Sequence, residues 1–274
     1  MAILTVSRQV ASLGDEICAA VSKKIGYKFI TRKDIEKRII EMGFPEEKFK
    51  TFDEKKTNFF ASLSKSRDEY LDYLQTAILE AAQDDCVLIG RGANIVLKDL
   101  PNHISLRFIC DDKTRTQRLM REHGWQEKDA LKRIRESDEN RDGFLKNFFN
   151  IGTNDDTMYH AVLNTGLFDI NTVVECVSAI IKNAVSDKAE ELGKKKAAEL
   201  LLSQKIVNTI LLTHKLAVLF LRAEKTGERT ILLHGVCESS DTVAKAIEIL
   251  SSEGEFSAYN FKSAISVSKE RRIH

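Results

Sequence analysis

The sequence of 274 residues predicts an α/β fold, a parallel β-sheet with helices on both faces, followed by a small α+β domain. Over residues 1–185, short apolar runs typical of buried strands alternate with segments of helical periodicity. Over residues 186–274, two strand-like runs flank a short turn, and a helical segment follows them. A chain of this length accommodates one larger and one smaller domain, which these two ranges predict.

The first strand is predicted at Ala2–Val6, and the helix that follows it at Asp15–Ile25. Residues 7–14 form the first loop between them. A loop of this length can bind phosphate, because the N-terminus of the next helix presents unpaired N–H groups. The first loop has one basic residue, Arg8, and it lacks the Gly-Lys-Ser or Gly-Lys-Thr ending of the common phosphate-binding loop.

The alternation of strands and helices continues to the end of the first domain. Further strands are predicted at residues 27–30, 86–89, 104–110 and 159–163. Helices are predicted at 31–42, through much of the charged region 45–84, and at 113–123, 127–140 and 169–184. Residues 144–158 are aromatic and polar without clear periodicity, so no element is predicted there.

The strand at 86–89 ends in Gly90–Gly92, which we name the β3 turn, and a helix-like stretch follows it. In a parallel sheet, ligands bind at the carboxyl ends of strands. Arg91 offers five donors in a fixed geometry that suits a phosphate, and the flanking glycines allow a close approach of backbone and ligand. The alternative is an ordinary turn with a surface salt-bridge arginine.

The second domain is predicted to begin with a polar linking segment, residues 186–196. The predicted order of elements after it is helix, strand, strand, helix and strand, at 197–211, 215–222, 229–236, 239–251 and 261–267. The turn between the first two strands contains Lys225–Glu228. This order predicts a small sheet with a hairpin and one or two covering helices.

Composition limits the classes of function. Charged residues make up 30% of the chain, yet the formal net charge is +1, so no general nucleic-acid-binding surface is predicted. The five cysteines lack metal-ligand spacing, so no metal-binding set is predicted, and Cys86 and Cys110 are expected to be buried thiols. Apolar runs fall short of the roughly 18 residues of a membrane span, so a cytoplasmic location is expected.

Four motifs together resemble a known family: Thr5–Gln9, Gly90–Asn94, Asp138–Arg141 and Leu163–Thr165. In this order and spacing, residues 2–183 resemble the cytidylate kinase-like family, a branch of the P-loop nucleoside monophosphate kinases. The resemblance implies a five-stranded parallel core, an ATP site at the first loop and a mobile lid that carries arginines. It also implies phosphoryl transfer from ATP to a nucleotide such as CMP, with Mg²⁺.

Phosphoryl transfer requires mainly that phosphates are positioned and that charge is neutralised. The resemblance places ATP on residues of the first loop, namely Ser7, Arg8, Gln9, Ser12 and Gly14. It places the acceptor phosphate on Arg91, with Gly90 and Gly92 beside it. The catalytic residues are predicted in the lid. They are Arg135, Arg141 and Asp138, with the two arginines closing over the transferred phosphoryl group and Asp138 orienting an arginine or touching the acceptor.

Other arginines of the predicted lid have a structural interpretation as well. Arg115, Arg121 and Arg133 are expected on a solvated helix face. Arg118 either pairs with Glu122 one turn away or acts as a lid arginine.

The first loop departs from the family pattern Ser-Arg-Gln-x-Gly-Ser-Gly-Gly-Arg. Ala11 and Leu13 replace two glycines, and Asp15 replaces the arginine. Ala11 and Leu13 are expected to resist positive φ, at a cost of about 1 kcal/mol each, and Leu13 is expected to crowd the phosphates. Asp15 would repel a triphosphate. Thr31 and His160 also differ from the family pattern, and His160 is expected at a strand start.

Two functions therefore stay open. The first is an ATP-dependent nucleoside monophosphate kinase with a modified phosphate loop. The second is a catalytically inactive kinase-fold protein that senses nucleotides or serves as a scaffold. The segments Thr230–Val236, Asp241–Leu250 and Ile265–Val267 of the second domain weakly resemble BON-type domains, which implies a membrane, a small ligand or another protein as partner there. A third hypothesis is that the second domain mediates self-association.

Overall fold

The computed structural model describes residues 2–53, 64–152 and 155–268. The chain divides into two compact units, Met1–Ala197 and Ala198–His274. The predicted helical region 45–84 lies partly outside the described residues, at 54–63. Its described parts are two helices, α3 (Glu46–Asp53) and α4 (Ser64–Ala81).

The first unit alternates strands and helices, as the sequence predicts. Its strands are β1 (Ile3–Arg8), β2 (Lys28–Ile30), β3 (Cys86–Ile89), β4 (His103–Ile109) and β5 (Ala161–Asn164). Its other helices are α1 (Gly14–Ile25), α2 (Arg32–Glu41), α5 (Ala93–Val96), α6 (Asp112–His123), α7 (Glu127–Phe149) and α8 (Ile170–Ala184). A long helix, α9 (Asp187–Asn208), continues across the boundary between the units.

Among the described residues, five parallel strands form one sheet in the order β2-β3-β1-β4-β5. The central strand β1 pairs with β3 on one side and with β4 on the other. The carboxyl ends of β1 and β3 are neighbours in this order, so the first loop and the β3 turn emerge at the same edge. This confirms the predicted parallel sheet and explains why two distant motifs can share one site.

The central strand is covered on both faces, because Ile3–Val6 are all buried. On one face, Leu4 and Val6 belong to an apolar cluster with Ile17 of α1 and Val177 of α8. Such burial on both faces is typical of the inner strands of a parallel sheet. Cys86 and Cys110 are buried, as expected, and burial raises the pKa of Cys86 to about 12.

The helix predicted at 127–140 is longer than expected, since α7 continues without a break to Phe149. Phe144 and Phe148 lie with their ring centroids 4.7 Å apart, and Phe144 and Phe149 both lie against the β3 turn. The helical periodicity was not recognised over residues 144–158 because this segment includes residues beyond the end of α7.

The second unit has the element order that the sequence predicts. Within the described residues, its strands β6 (Leu219–Lys225), β7 (Thr230–Cys237) and β8 (Asn260–Val267) form a mixed sheet in the order β6-β7-β8. The pair β6-β7 is antiparallel and the pair β7-β8 is parallel, with α10 (Ser240–Ser252) between β7 and β8. Ile231, Leu233, Ala246 and Leu250 are fully buried in its core.

Candidate functional site

The first loop keeps two left-handed residues although neither is glycine. Ala11 has φ 57° and Leu13 has φ 59°. The expected resistance of these residues to positive φ does not keep the loop from adopting it. A left-handed conformation still costs roughly 1–2 kcal/mol per residue, so the surrounding structure must impose it.

Packing of the two side chains accounts for this. Leu13 packs against the apolar cluster between the sheet and helices α1 and α8. Ala11 packs with Val10 against a small cluster of Leu119, Ala130 and Ile134, which belong to α6 and α7. Apolar burial thus offsets the backbone strain, and Leu13 is directed into the core, not toward the phosphates as expected.

Arg8 lies at the end of β1, between two glycines from separate motifs. A Cβ on Gly14 would come within 2.7 Å of the Arg8 Cγ, and a Cβ on Gly90 within 2.8 Å of its Nη1. The absence of a side chain at Gly14 therefore leaves room for the aliphatic part of Arg8, and its absence at Gly90 leaves room for the guanidinium. Arg8 Nη2 lies 3.3 Å from Asp15 Oδ1, while Arg8 Nε is buried and has no acceptor among the described residues.

The β3 turn holds Arg91 in a largely buried position. Its φ is 56°, its side chain is 7% exposed, and its guanidinium carbon lies 5.1 Å from the centroid of the Phe144 ring. Arg91 Nη2 donates to Glu36 Oε1 of helix α2. Gly92 has φ 70°, and a Cβ there would come within 2.4 Å of Phe149 Cε2. Gly92 therefore lies directly under an aromatic ring of α7.

Two arginines of the predicted lid converge on Asp138. Arg115 Nη1 donates to Asp138 Oδ2 at 2.8 Å, and Arg141 Nη1 lies 3.6 Å from Asp138 Oδ1. The expectation that Arg115 is solvated is wrong, since it is 2% exposed. Burial and the nearby Arg8 guanidinium lower the pKa of Arg141 to about 10, which leaves it protonated at neutral pH.

Arg135 does not join this cluster and is exposed. A spacing of six residues places Arg135 about 240° around the helix from Arg141, since an α-helix has 3.6 residues per turn. Both arginines lie in the middle of α7, because this helix extends beyond the predicted end near residue 140. Arg121 and Arg133 are exposed, as expected.

Arg118 connects helix α6 to the first loop. Its Nη1 donates to the Ala11 carbonyl at 3.0 Å, and its Nη2 donates to the Thr165 carbonyl at 2.7 Å. Arg118 therefore stabilises the left-handed residue Ala11 and ties the end of β5 to the same loop. The alternative pairing with Glu122 does not occur among the described contacts.

The other predicted loop residues have structural partners. Ser12 is fully buried and its Oγ donates to the Gln9 carbonyl at 2.9 Å. The Gln9 Oε1 accepts from the Cys110 backbone N–H at 2.9 Å, which fixes the loop to the end of β4. Ser7 is the partly buried residue before Arg8 in β1. These bonds hold the loop in the shape of a cradle beside Arg8.

Two residues that differ from the family pattern also have clear structural roles. Thr31 caps helix α2 in a reciprocal capping box with Asp34. His160 precedes β5, and its Nδ1 accepts from the Ser105 backbone N–H at 2.9 Å, in agreement with the expected place at a strand start. Neither observation assigns these residues to a reaction.

A cavity of about 520 Å³ lies between the first loop and helix α2. It is lined by Arg8, Asp15, Thr31, Arg32, Lys33 and Glu36. The sequence analysis missed Arg32, Lys33 and Glu36, because a helix that is polar on its outer side gives no functional signal. A second cavity of about 480 Å³, at the ends of β4 and β5, has Gln9, Arg107 and Asn164 among its lining residues.

Within the described ranges, no group of three or more His, Cys, Asp or Glu side chains is placed to hold a metal ion. In the same residues, no helix is both long and apolar enough to cross a membrane.

A profile of the cytidylate kinase-like family matches residues 3–167, which include the first loop, the β3 turn and helices α6 and α7. The chain belongs to the cytidylate kinase-like family. It is 28% identical over 188 residues to a cytidylate kinase of Thermococcus sibiricus, a match that covers 68% of this chain and 90% of that protein.

Two solved structures are similar to this member of the cytidylate kinase-like family, and the first of them shares its fold. An uncharacterised protein of Eubacterium ventriosum aligns with a TM-score of 0.54 and 19% identity, over 66% of this chain and 98% of that one. A shikimate kinase of Bacteroides thetaiotaomicron aligns with a TM-score of 0.40 and 16% identity, over 66% and 98% of the two chains. The family match ends at residue 167, and the resemblance of the second unit to BON-type domains has no support from these matches.

Proposed function

We propose that this protein transfers a phosphoryl group from ATP to a nucleoside monophosphate such as CMP. The observation that carries the proposal is the placement of Arg8. Its side chain lies between the first loop and the β3 turn, where Gly14 leaves room for its Cβ and Cγ and Gly90 leaves room for its guanidinium. A cation at this position can contact phosphates from both sides, which phosphoryl transfer requires.

The first loop fits a phosphate group. Arg8 Nε is a buried donor that lacks an acceptor among the described residues, and an anion in the cradle would supply one. The first-turn N–H groups of α1 have no partners within the helix and favour negative charge. ATP is therefore proposed at the five predicted loop residues, Ser7, Arg8, Gln9, Ser12 and Gly14.

The acceptor side is proposed at the cavity between the first loop and α2. Arg91, with Gly90 and Gly92 beside it, would hold the acceptor phosphate, and its ring contact with Phe144 keeps the guanidinium in place. Arg141, beside Arg8, would neutralise charge on the transferred group, and Asp138 orients Arg141 and Arg115. Arg135 would act only if α7 rotates or shifts.

ATP bound with Mg²⁺ would supply the phosphoryl group and much of the charge neutralisation. Mg²⁺ in such sites is held largely by phosphate oxygens and waters, so few ligands are required of the protein. The residues of this chain would bind and orient the phosphates of the two nucleotides and would exclude water from them. The apolar contact of Val10 and Ala11 with α6 and α7 covers the loop and supports that exclusion.

The test is titration of the purified protein with ATP–Mg²⁺ and separately with CMP by calorimetry, followed by an assay of ADP formation with both present. Binding of both ligands with CMP-dependent ADP formation is the expected result. Absence of ADP formation with every nucleoside monophosphate tried would refute the proposal.

One observation favours the second candidate function, a nucleotide sensor or scaffold without catalysis. Asp15 is 3.3 Å from Arg8 and occupies the first turn of α1, where a triphosphate would meet its negative charge. CMP binding without ATP binding would support this alternative, because the acceptor side would then persist without the donor side.

A further inference from the structure

The Glu36 carboxylate bridges two arginines at the wall of the acceptor cavity. Its Oε1 accepts from Arg91 Nη2 and also from Arg32 Nε at 2.5 Å. One oxygen is thus shared between the β3 turn and the first turn of helix α2. Bonds of this kind between guanidinium and carboxylate are among the stronger hydrogen bonds in proteins.

Glu36 connects Arg91 to the cavity. Arg91 is 7% exposed, lies over the Phe144 ring and is not among the residues that line the cavity. Glu36 is 22% exposed, lines the cavity and accepts a hydrogen bond from Arg91. An anion in the cavity would therefore have to displace Glu36 to bind this edge of Arg91.

We propose that Glu36 lowers the affinity of this site for an acceptor phosphate, as a built-in competitor for Arg91. The inference rests on the proposed function, in which Arg91 binds the acceptor phosphate. A phosphate dianion enters by exchange. It replaces Glu36 as the partner of Arg91, while Glu36 remains paired with Arg32. A neutral nucleoside or a singly charged ligand competes less well, because it gains less from Arg91 than the carboxylate does.

The charge balance of the cavity indicates that an anion can replace Glu36 at Arg91 and is not simply excluded from the cavity. Three of its lining residues, Arg8, Arg32 and Lys33, are cationic, and two, Asp15 and Glu36, are anionic. The cavity therefore retains a positive excess of one charge while Glu36 is in place, and it still attracts anions. When Glu36 is displaced, the positive charge of Arg91 also becomes available to a ligand in the cavity.

The experiment compares Glu36→Gln with the wild-type protein in calorimetric titrations with CMP, with cytidine and with inorganic phosphate, all without ATP. Glutamine keeps the shape and an acceptor oxygen but removes the charge. The matched control is Glu41→Gln on the same helix, because Glu41 pairs with Arg38 and Lys37 outside the cavity. Circular dichroism and melting curves establish that both variants are folded.

Glu36→Gln is expected to bind CMP or inorganic phosphate about tenfold more tightly than wild type, with Glu41→Gln unchanged. The preference for CMP over cytidine should therefore increase in Glu36→Gln, since cytidine has no phosphate to place on Arg91. Equal or weaker phosphate binding by Glu36→Gln would overturn the inference, because Glu36 would then position Arg91 and not compete for it.

This outcome is independent of turnover. A protein that forms no ADP, yet binds inorganic phosphate more tightly after Glu36→Gln, would refute the kinase function and retain the role of Glu36. A protein with CMP-dependent ADP formation whose phosphate affinity does not change in Glu36→Gln would retain the kinase function and refute the role of Glu36.

Discussion

The first loop and the β3 turn reach similar backbone conformations with different residues. The first loop places Ala11 and Leu13 at positive φ, whereas the β3 turn places Arg91 there between two glycines. In the first loop, the side chains at the strained positions pack against α6, α7 and the core. In the β3 turn, Gly90 and Gly92 have no side chains, which leaves room for Arg8 and Phe149.

The difference shows that positive φ by itself does not require glycine, whereas a close approach by a neighbour does. Strain at a single residue is small enough to be balanced by burial of one side chain. A clash with a packed ring cannot be balanced in this way, since the neighbour must move. The glycine content of the first loop is therefore a poor guide to its shape.

The largest effect is expected for Gly92→Ala. Its Cβ would come within 2.4 Å of Phe149 Cε2 at φ 70°, so the free energy of unfolding should fall by about 3 kcal/mol in urea denaturation. Gly124→Ala is the control, because φ there is 68° but no atom lies within 4 Å. It should cost about 1 kcal/mol. Equal losses in the two variants would contradict the distinction between strain and clash.

Arg118→Met is expected to lower the free energy of unfolding by about 2 kcal/mol, since two carbonyl oxygens lose a charged donor. Arg121→Met on the same helix is the control and should change stability by less than about 0.5 kcal/mol. Urea denaturation measures both. A loss as small for Arg118→Met as for the control would mean that packing holds the first loop without Arg118.

Asp15→Asn should raise the affinity for ATP–Mg²⁺ about tenfold, because Arg8 loses its carboxylate partner and the repulsion of the triphosphate is removed. Glu16→Gln is the control, since it removes an exposed negative charge from the same helical turn. Calorimetry measures both affinities. An equal gain in the two variants would show a general charge effect without a specific role for Asp15.

The smallest effect is expected for Ala11→Gly. Relief of the left-handed strain is opposed by the larger conformational entropy of glycine in the unfolded chain, so the change should stay within about 0.5 kcal/mol. Chemical denaturation again provides the measurement. Stabilisation by more than about 1 kcal/mol would show that packing against α6 and α7 does not compensate for the strain.

Much of the fold could be predicted from the sequence, because strands and amphipathic helices carry local periodicity. The strand at Cys86–Ile89 was predicted at its observed bounds, and the second unit has the predicted order of elements. The last turns of α7 were missed, since the segment 144–158 combines them with residues beyond the end of the helix and so has no continuous periodicity.

The candidate site was less accessible to prediction. Arg8 and Arg91 could be singled out because each stands at the end of an apolar strand. The spacing of Arg135 and Arg141 places them on different faces of α7, but the face that meets the first loop is decided by packing. Glu36 had no signal, because it is one of several charged residues on a polar helix.

The sequence by itself determined the order of elements, the positions of the two turns and the membership of residues 3–167 in the cytidylate kinase-like family. These features depend on neighbours along the chain. The tertiary structure decided that Arg8 lies between Gly14 and Gly90 and that Glu36 binds Arg91, 55 positions away. Such contacts arise where parallel strands bring distant loops to one edge of the sheet, and no local pattern encodes them.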